Sequence, residues 1–77
     1  MSHIPIVTAA EIKELRGNLN LTQEQFAERY RIGLRTLQGW ECGARKPTTT
    51  ASILLRMIKA YPQQIAAEIA TMPRLTP

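Results

Sequence analysis

The apolar residues of this chain recur at helical spacing, and two of the recurring stretches begin at a threonine with Glu or Gln three positions later. Thr8 precedes Glu11 and Thr22 precedes Gln25, the spacing of a capping box that satisfies free amides at a helix N-terminus. Apolar positions 12, 15 and 19 follow the first box, and positions 26, 27 and 30 follow the second. We therefore predict helices that start at Thr8 and Thr22, the first ending near Asn20.

Three further helices are predicted along the rest of the chain. Residues 31–33 leave room for only a short turn before the third helix, whose apolar side contains Leu37 and Trp40 and which Gly43 is placed to end. The threonines at 48–50 offer caps for the fourth helix, and Pro62 fits the first turn of the fifth. The predicted apolar stripe is Ile53, Leu54, Met57, Ile58 and Tyr61 in the fourth helix and Ile65, Ile69 and Met72 in the fifth.

The whole pattern favours an all-α fold of five short helices, because no alternating strand pattern competes with the helical spacing. A chain of 77 residues makes a single domain. We assign residues 8–72 to it, with flexible tails at 1–7 and 73–77. No apolar run approaches the length of a membrane span, and the N-terminus lacks the pattern of a secretory signal. A cytoplasmic protein without membrane contact is expected.

Residue counts argue against catalysis and against a bound metal or cofactor. The chain has no Asp, a single His at position 3 and a single Cys at position 42. These residues cannot supply a Ser-His-Asp or Cys-His-Asp set, nor a multi-cysteine or His-rich metal site. The four glycines are scattered and form no phosphate-binding loop. We therefore expect a binding module with no cofactor, and not an enzyme.

Positive charge is concentrated around the third helix. Residues 29–46 carry five cations against one acid, Glu41, so their net charge equals the +4 of the whole chain. A DNA-binding face has this footprint, because each phosphate contact releases counterions. The alternative is that surface arginines merely solvate a small protein. The five cations are Arg29, Arg31, Arg35, Arg45 and Lys46.

Three segments carry a family resemblance. Residues 21–27 (Leu-Thr-Gln-Glu-Gln-Phe-Ala), 35–43 (Arg-Thr-Leu-Gln-Gly-Trp-Glu-Cys-Gly) and 45–47 (Arg-Lys-Pro) strongly resemble the Cro/C1 family, the phage-repressor-like or XRE family. Within it, the chain looks most like HigA-type antitoxins and their NadS-like relatives, because a Leu-Leu-Arg-Met-Ile helix follows the Arg-Lys-Pro ending. The resemblance implies a lambda-repressor-like DNA-binding domain with its helix-turn-helix at helices 2 and 3.

The resemblance implies DNA contacts for nine residues. Arg35 is expected to read guanine O6 and N7 with its planar fork, and Gln38 to read adenine or bind a phosphate. Leu34 packs on a thymine methyl or belongs to the rim of the core, and Thr36 binds a phosphate or only its own helix. Base reading is thus assigned to Leu34, Arg35, Gln38 and Gly39, and phosphate binding to Gln23, Arg31, Thr36, Arg45 and Lys46.

Other matched positions are expected to be structural. Glu41 falls where phage repressors have an acid that pairs with an arginine of the first helix, and Arg16 occupies the matching place, so an Arg16–Glu41 ion pair is implied. Trp40 is expected to seat the recognition helix on the core. The chain also departs from the family at three positions, where Arg31 replaces a turn glycine, Gly33 a helix cap and Gly39 a polar DNA contact.

The resemblance also implies partners. A two-fold homodimer spaces two recognition helices by about 34–36 Å and reads a palindromic operator. Ile65, Ile69 and Met72 are candidates for its interface, with core packing as the alternative. The leading hypothesis is a transcriptional repressor that is the antitoxin of a type II toxin–antitoxin pair, represses its own operon and binds an RNase toxin of the RelE/HigB kind. The alternatives are a stand-alone phage or host regulator, an interaction module that has kept the fold and lost DNA binding, and an enzyme fragment.

Overall fold

The computed structural model describes residues 5–74, and this part of the chain forms five α-helices and no strand. The helices are α1 (Ala9–Asn18), α2 (Gln23–Tyr30), α3 (Leu34–Glu41), α4 (Thr49–Ala60) and α5 (Pro62–Thr71). The prediction of an all-α fold with five helices is confirmed. None of these helices is both long and apolar enough to cross a membrane. His3 and the outer parts of both predicted tails lie outside the described residues.

Threonine side chains start three helices at the predicted positions. At α1, the Glu11 amide donates to Thr8 Oγ1 over 3.2 Å, and the Thr8 amide donates to Glu11 Oε1 over 3.1 Å. The same reciprocal bonds join Thr22 and Gln25 at the start of α2, at 3.1 and 2.9 Å. The Thr48 side chain caps α4. Each cap satisfies amides that have no partner inside the helix, so the predicted starts of α1 and α2 are confirmed.

Residues with left-handed backbone follow the ends of α1, α2 and α3. Their φ angles are 57° at Asn20, 53° at Arg31 and 80° at Gly43. The conformation suits glycine and costs another residue about 1–2 kcal/mol. Arg31, which replaces the turn glycine of the family, therefore has a strained left-handed backbone, and this conformation lets the chain reverse within the three-residue turn between α2 and α3. Gly33 then starts α3 without a side-chain cap, as its lack of a side chain predicts.

The core is built from α1 to α4, with α5 laid against its outside. Ile12, Phe26 and Leu37 are completely buried, as are Leu55 and Ile58 to within 1 %. No residue of α5 is buried, although Ile65 and Ile69 are half-buried and pack against the core. The α4–α5 corner is tied to α2 by the Tyr30 hydroxyl, which donates to the Pro62 carbonyl over 2.9 Å.

The predicted apolar stripe of α4 is correct at Ile58, which is buried, and at Leu54, which packs against the core, but its other three positions are wrong. The buried residues are Ser52, Leu55 and Ile58, whereas the predicted core residues Ile53, Met57 and Tyr61 are exposed. The helix has more apolar residues than one face can bury, so spacing alone does not select the inner face. The inner face is also hard to recognise in the sequence because it contains a polar residue, Ser52. In the fold, the Ser52 Oγ accepts a hydrogen bond from the Val7 amide over 3.1 Å.

Candidate nucleic-acid interface

The second helix of the motif, α3, has one buried and one exposed face. Leu37, Trp40 and Glu41 face inward, so Trp40 takes the core position expected of it. Arg35 and Gln38 are exposed on the other side. Together with Gly39, they share one face of the helix, because residues three and four positions apart stack along a helix. The fold therefore presents the two strongest candidate base readers side by side.

A partly buried ion pair lies directly behind that face. Arg16 Nε donates to Glu41 Oε2 and Arg16 Nη2 donates to Glu41 Oε1, both over 2.8 Å, in a bidentate arrangement. The Glu41 side chain is only 3 % exposed. Arg16 Nη1 also donates to the Leu21 carbonyl over 3.0 Å. The Arg16–Glu41 contact implied by the family resemblance is present, and it joins α1 and the turn before α2 to the end of α3.

The ion pair has clear consequences for ionisation. Hydrogen bonding to Arg16 lowers the pKa of Glu41 below its ordinary value of 4.5, and this outweighs the opposing effect of burial. A hydrogen bond from Gln23 and the nearby charge of Lys13 act in the same direction. The same contact raises the pKa of Arg16. Both groups therefore stay charged at neutral pH, and the pair holds α3 in one orientation.

Two glutamines connect the ion pair to the exposed face. Gln23, at the start of α2, donates from Nε2 to Glu41 Oε1 over 3.2 Å. Its Oε1 accepts a longer hydrogen bond, 3.4 Å, from Nε2 of Gln38. Gln38 is thus held from behind by Gln23, which Glu41 orients. The two glutamines were assigned separate DNA contacts from the sequence, and the structure brings them together as one unit.

Lys13 lies beside this unit and was missed at the level of sequence. It lines an open groove of ≈ 470 Å³ along the recognition helix, together with Gln23, Gln38, Gly39, Glu41 and Cys42. Lys13 stands three residues before Arg16 and so shares its face of α1. That spacing was the available signal, because Arg16 had already been placed next to α3. A lysine at this edge is suited to contact a phosphate as a point charge.

The remaining candidate residues lie in the loop after α3 or at the partly buried positions of α3. Arg45 and Lys46 are exposed in the loop after α3, and both line a groove of ≈ 330 Å³ that contains Trp40 and Pro47. Leu34 is half-buried and packs against the core, which favours the rim-of-core alternative. Thr36 is half-buried, which does not separate its two readings.

Arg31 is directed away from the other candidates. Its Nη1 donates to the Met72 carbonyl at the end of α5 over 2.7 Å. It also lines an open groove with the acids Glu24 and Glu28 at the N-terminal end of α3. The structure does not bring the Arg31 guanidinium together with Arg35 and Gln38, so its assignment to a phosphate stays a prediction.

Two helices, α2 and α3, are joined by a short turn, and the polar face of α3 is exposed and supported by the Arg16–Glu41 pair. This arrangement defines a DNA-binding regulator of the helix-turn-helix class. The helix-turn-helix family model HTH_3, of the Cro/C1 XRE type, matches residues 12–66, and the chain belongs to this family.

The known proteins that are similar to this chain include a solved structure and an antitoxin. One is an HTH XRE-family like protein from Agrobacterium tumefaciens, whose sequence is 43% identical to this one. Its crystal structure superposes with a TM-score of 0.74, and the match covers 75% of this chain and 94% of that chain. The other is antitoxin HigA-2 of Vibrio cholerae, which is 28% identical over 60 residues, or 78% of this chain. This chain spans 58% of the length of that antitoxin.

Proposed function

We propose that this XRE-family regulator is a homodimeric repressor that reads a palindromic operator and serves as the antitoxin of a toxin–antitoxin pair. The observation that carries the DNA-reading part is the exposed face of α3. Arg35 is exposed on this face and makes no side-chain hydrogen bond within residues 5–74. Gln38 is oriented by hydrogen bonds that lead back to the buried Glu41. Base reading requires such fixed orientation, because a bidentate contact to a base edge tolerates little angular error.

Binding to DNA from upstream of the protein's own gene tests this reading. Arg35→Ala should cost about 1–3 kcal/mol of binding free energy and relax specificity at one base pair. Lys46→Ala should weaken binding to all sequences alike and reduce the salt slope by about 1. Lys59→Ala is the matched control, because Lys59 lines the groove between α1 and α4 and not the face of α3. If Arg35→Ala binds like Lys59→Ala, the assigned reading face is wrong.

The dimer part of the proposal rests on the outer face of α4. Ile53, Met57 and Tyr61 follow one another at four-residue intervals and are 39, 46 and 60 % exposed. We call these three residues the α4 stripe. Ile53 and Met57 lie in one row along the helix because they are four residues apart, and Tyr61 directly follows the last residue of α4. Exposed apolar rows of this kind mark interaction sites more often than bare surface, and Met and Tyr are enriched in protein interfaces.

The absence of charge favours a second copy of this chain as the occupant of the α4 stripe. Between positions 47 and 67 the only charged residues are Arg56 and Lys59, and both line the groove that α4 forms with α1. In a two-fold interface, the same patch meets itself. Any charge near the axis would therefore face its own copy, and a neutral apolar row avoids that repulsion. Ile65 and Ile69, which the sequence offered as interface residues, are half-buried and pack against the core. Met72 is exposed after the end of α5 and stays a candidate for the interface.

Sedimentation equilibrium over a range of concentrations tests the α4 stripe. Met57→Lys places two lysines opposite each other and should weaken dimerisation at least about tenfold, or 1.4 kcal/mol. Lys59→Ala changes one charge on the same helix and should leave dimerisation unchanged. Met72→Lys separates the two candidate surfaces. Dissociation by Met72→Lys alone would move the interface to α5, and a monomeric wild type would contradict the dimer.

The antitoxin part rests on similarity to HigA-2 of Vibrio cholerae, which is named as an antitoxin. Co-expression with the product of the adjacent gene is the test. The proposal expects that product to arrest growth when expressed alone and to co-purify with this chain when both are present. A neighbour that neither arrests growth nor co-purifies would leave a stand-alone regulator as the function.

A further inference from the structure

Gly39 lies in the middle of the recognition helix, and the side chain of Arg45 covers it. A Cβ built on Gly39 would lie 3.2 Å from both Cγ and Cδ of Arg45 and 3.5 Å from its Cβ. Contacts at 3.2 Å are tighter than carbon atoms normally make, so any side chain at position 39 would push the arginine stem outward. The space left by the missing side chain is therefore filled from within the protein.

The main chain holds the same contact in place. The Arg45 amide donates to the Gly39 carbonyl over 3.1 Å. The left-handed Gly43, with φ of 80°, returns the chain over the end of α3 just before this bond. Arg45 is thus attached to the helix at its backbone and along its stem. Its guanidinium makes no hydrogen bond or ion pair with residues 5–74, and is free for a ligand.

The position of Gly39 on α3 determines which part of the exposed face the Arg45 side chain lies against. Gly39 stands four residues after Arg35, so the two lie one helical turn apart on the exposed face of α3. The arginine stem over Gly39 therefore lies one turn along from Arg35, in line with it. The stem of Arg45, from Cβ to Cδ, thus covers a position of the row that contains Arg35.

We propose that Gly39 is a seat that positions Arg45 as a second base-reading arginine of the recognition surface. The inference rests on the proposed DNA-binding function and assigns Arg45 a major-groove contact in place of a phosphate contact. A planar guanidinium matches guanine O6 and N7. Gly39, for which the family resemblance implies a DNA contact of its own, acts through Arg45 and is a positioning residue.

A second helical glycine provides the control. Gly17 lies in α1 and a Cβ there would meet nothing within 4 Å. Gly17→Ala should raise Tm by about 4–8 °C, the shift expected when a helical glycine of a small domain becomes alanine. It should not change DNA affinity. Gly39→Ala gains the same helix propensity, and we expect its Tm to be at least that of the wild type while its affinity for the operator falls about three- to tenfold.

Combining substitutions separates the seat from a direct clash with DNA. Arg45→Ala should weaken operator binding by about tenfold or more. If Gly39 acts by seating Arg45, adding Gly39→Ala to Arg45→Ala causes no further loss, because the seated side chain is already gone. If Gly39 is needed only for close approach to DNA, the loss from Gly39→Ala is the same in both backgrounds, which would overturn the inference.

A charge-preserving substitution separates base reading from phosphate binding. Arg45→Lys keeps the positive charge but loses the planar fork. Base reading expects Arg45→Lys to bind the operator nearly as weakly as Arg45→Ala, with relaxed preference at one base pair and an unchanged salt slope. Near-wild-type binding by Arg45→Lys would overturn the assignment. Loss of binding in Arg35→Ala but not in Arg45→Ala would overturn the seat while leaving the proposed function intact, and a wild type that binds no DNA would remove both.

Discussion

The half of the domain formed by α1–α3 and the half formed by α4 and α5 present opposite kinds of surface. In the first, the exposed face of α3 is polar and is held by a buried carboxylate, Glu41, that accepts three hydrogen bonds. In the second, the α4 stripe is apolar, exposed and without charge. In the first half, hydrogen bonds fix the side chains behind one surface. In the second half, large apolar side chains stay exposed within residues 5–74.

The difference follows from what each surface is proposed to bind. Reading base edges requires side chains at defined angles, and hydrogen bonds to a charged group are directional and strong. Association with a second copy requires apolar area, which is not directional. The same small domain therefore uses a polar network where orientation matters and a neutral row where only contact matters.

The largest effect is expected from breaking the polar network. Glu41→Ala removes the partner of Arg16, whose side chain is 23% exposed, and should lower the free energy of unfolding by about 3 kcal/mol. Urea denaturation measures this loss. The control is Glu28→Ala, which removes an exposed ion pair with Arg74 and should cost at most about 1 kcal/mol. Equal losses in both variants would contradict the importance of burial.

Acid should remove part of the same stabilisation. The native pKa of Glu41 is lowered by Arg16 from an ordinary value of 4.5. A lowered native pKa means that the unfolded state binds protons first, so this stability is present above the ordinary value and is lost as pH falls through the native value. Urea unfolding at decreasing pH measures the loss. Glu41→Gln should show a flatter dependence, with the remainder due to groups such as Glu11, whose pKa is lowered by hydrogen bonds from Thr8.

A smaller effect is expected at the joint between the two halves. Arg31 has φ of 53° and also donates to the Met72 carbonyl of α5. Both Arg31→Gly and Arg31→Ala lose this hydrogen bond, but only the glycine variant relieves the left-handed backbone. Arg31→Gly should therefore be more stable than Arg31→Ala by about 1 kcal/mol in urea denaturation. An alanine variant of equal or greater stability would show that the backbone at this position is not strained.

The smallest effect concerns the edge of the reading face. Lys13→Ala should weaken binding to all DNA sequences by a similar factor and reduce the salt slope by about 1, because a phosphate contact carries no sequence information. Fluorescence anisotropy at several salt concentrations measures both quantities. Lys59→Ala, which removes the same charge from the α4 half, should change neither slope nor affinity. A change in base preference with Lys13→Ala would place it among the base readers.

Local sequence was sufficient for the starts of α1 and α2. The capping boxes at Thr8 and Thr22 involve residues three positions apart, so the chain carries all the information needed. The Arg16–Glu41 pair spans 25 positions, and only the family resemblance made it foreseeable. Lys13 was within reach of the same reasoning, since it shares a face of α1 with Arg16.

The inner face of α4 and the seat at Gly39 were not foreseeable in this way. Apolar residues surround most of α4, so the buried row at Ser52, Leu55 and Ile58 is selected by the neighbours that pack against it. The contact between Gly39 and Arg45 depends on how the chain turns after α3. Neither feature corresponds to a residue pattern of fixed spacing in the sequence.

The amino-acid sequence was enough to establish five helices, the capping boxes of α1 and α2 and the accumulation of positive charge around α3, because each depends on residues close together in the chain. The tertiary structure decided which side of α4 is buried, which glutamine holds Gln38, and which arginine covers Gly39. These depend on the angles at which helices meet, and packing against distant residues sets those angles.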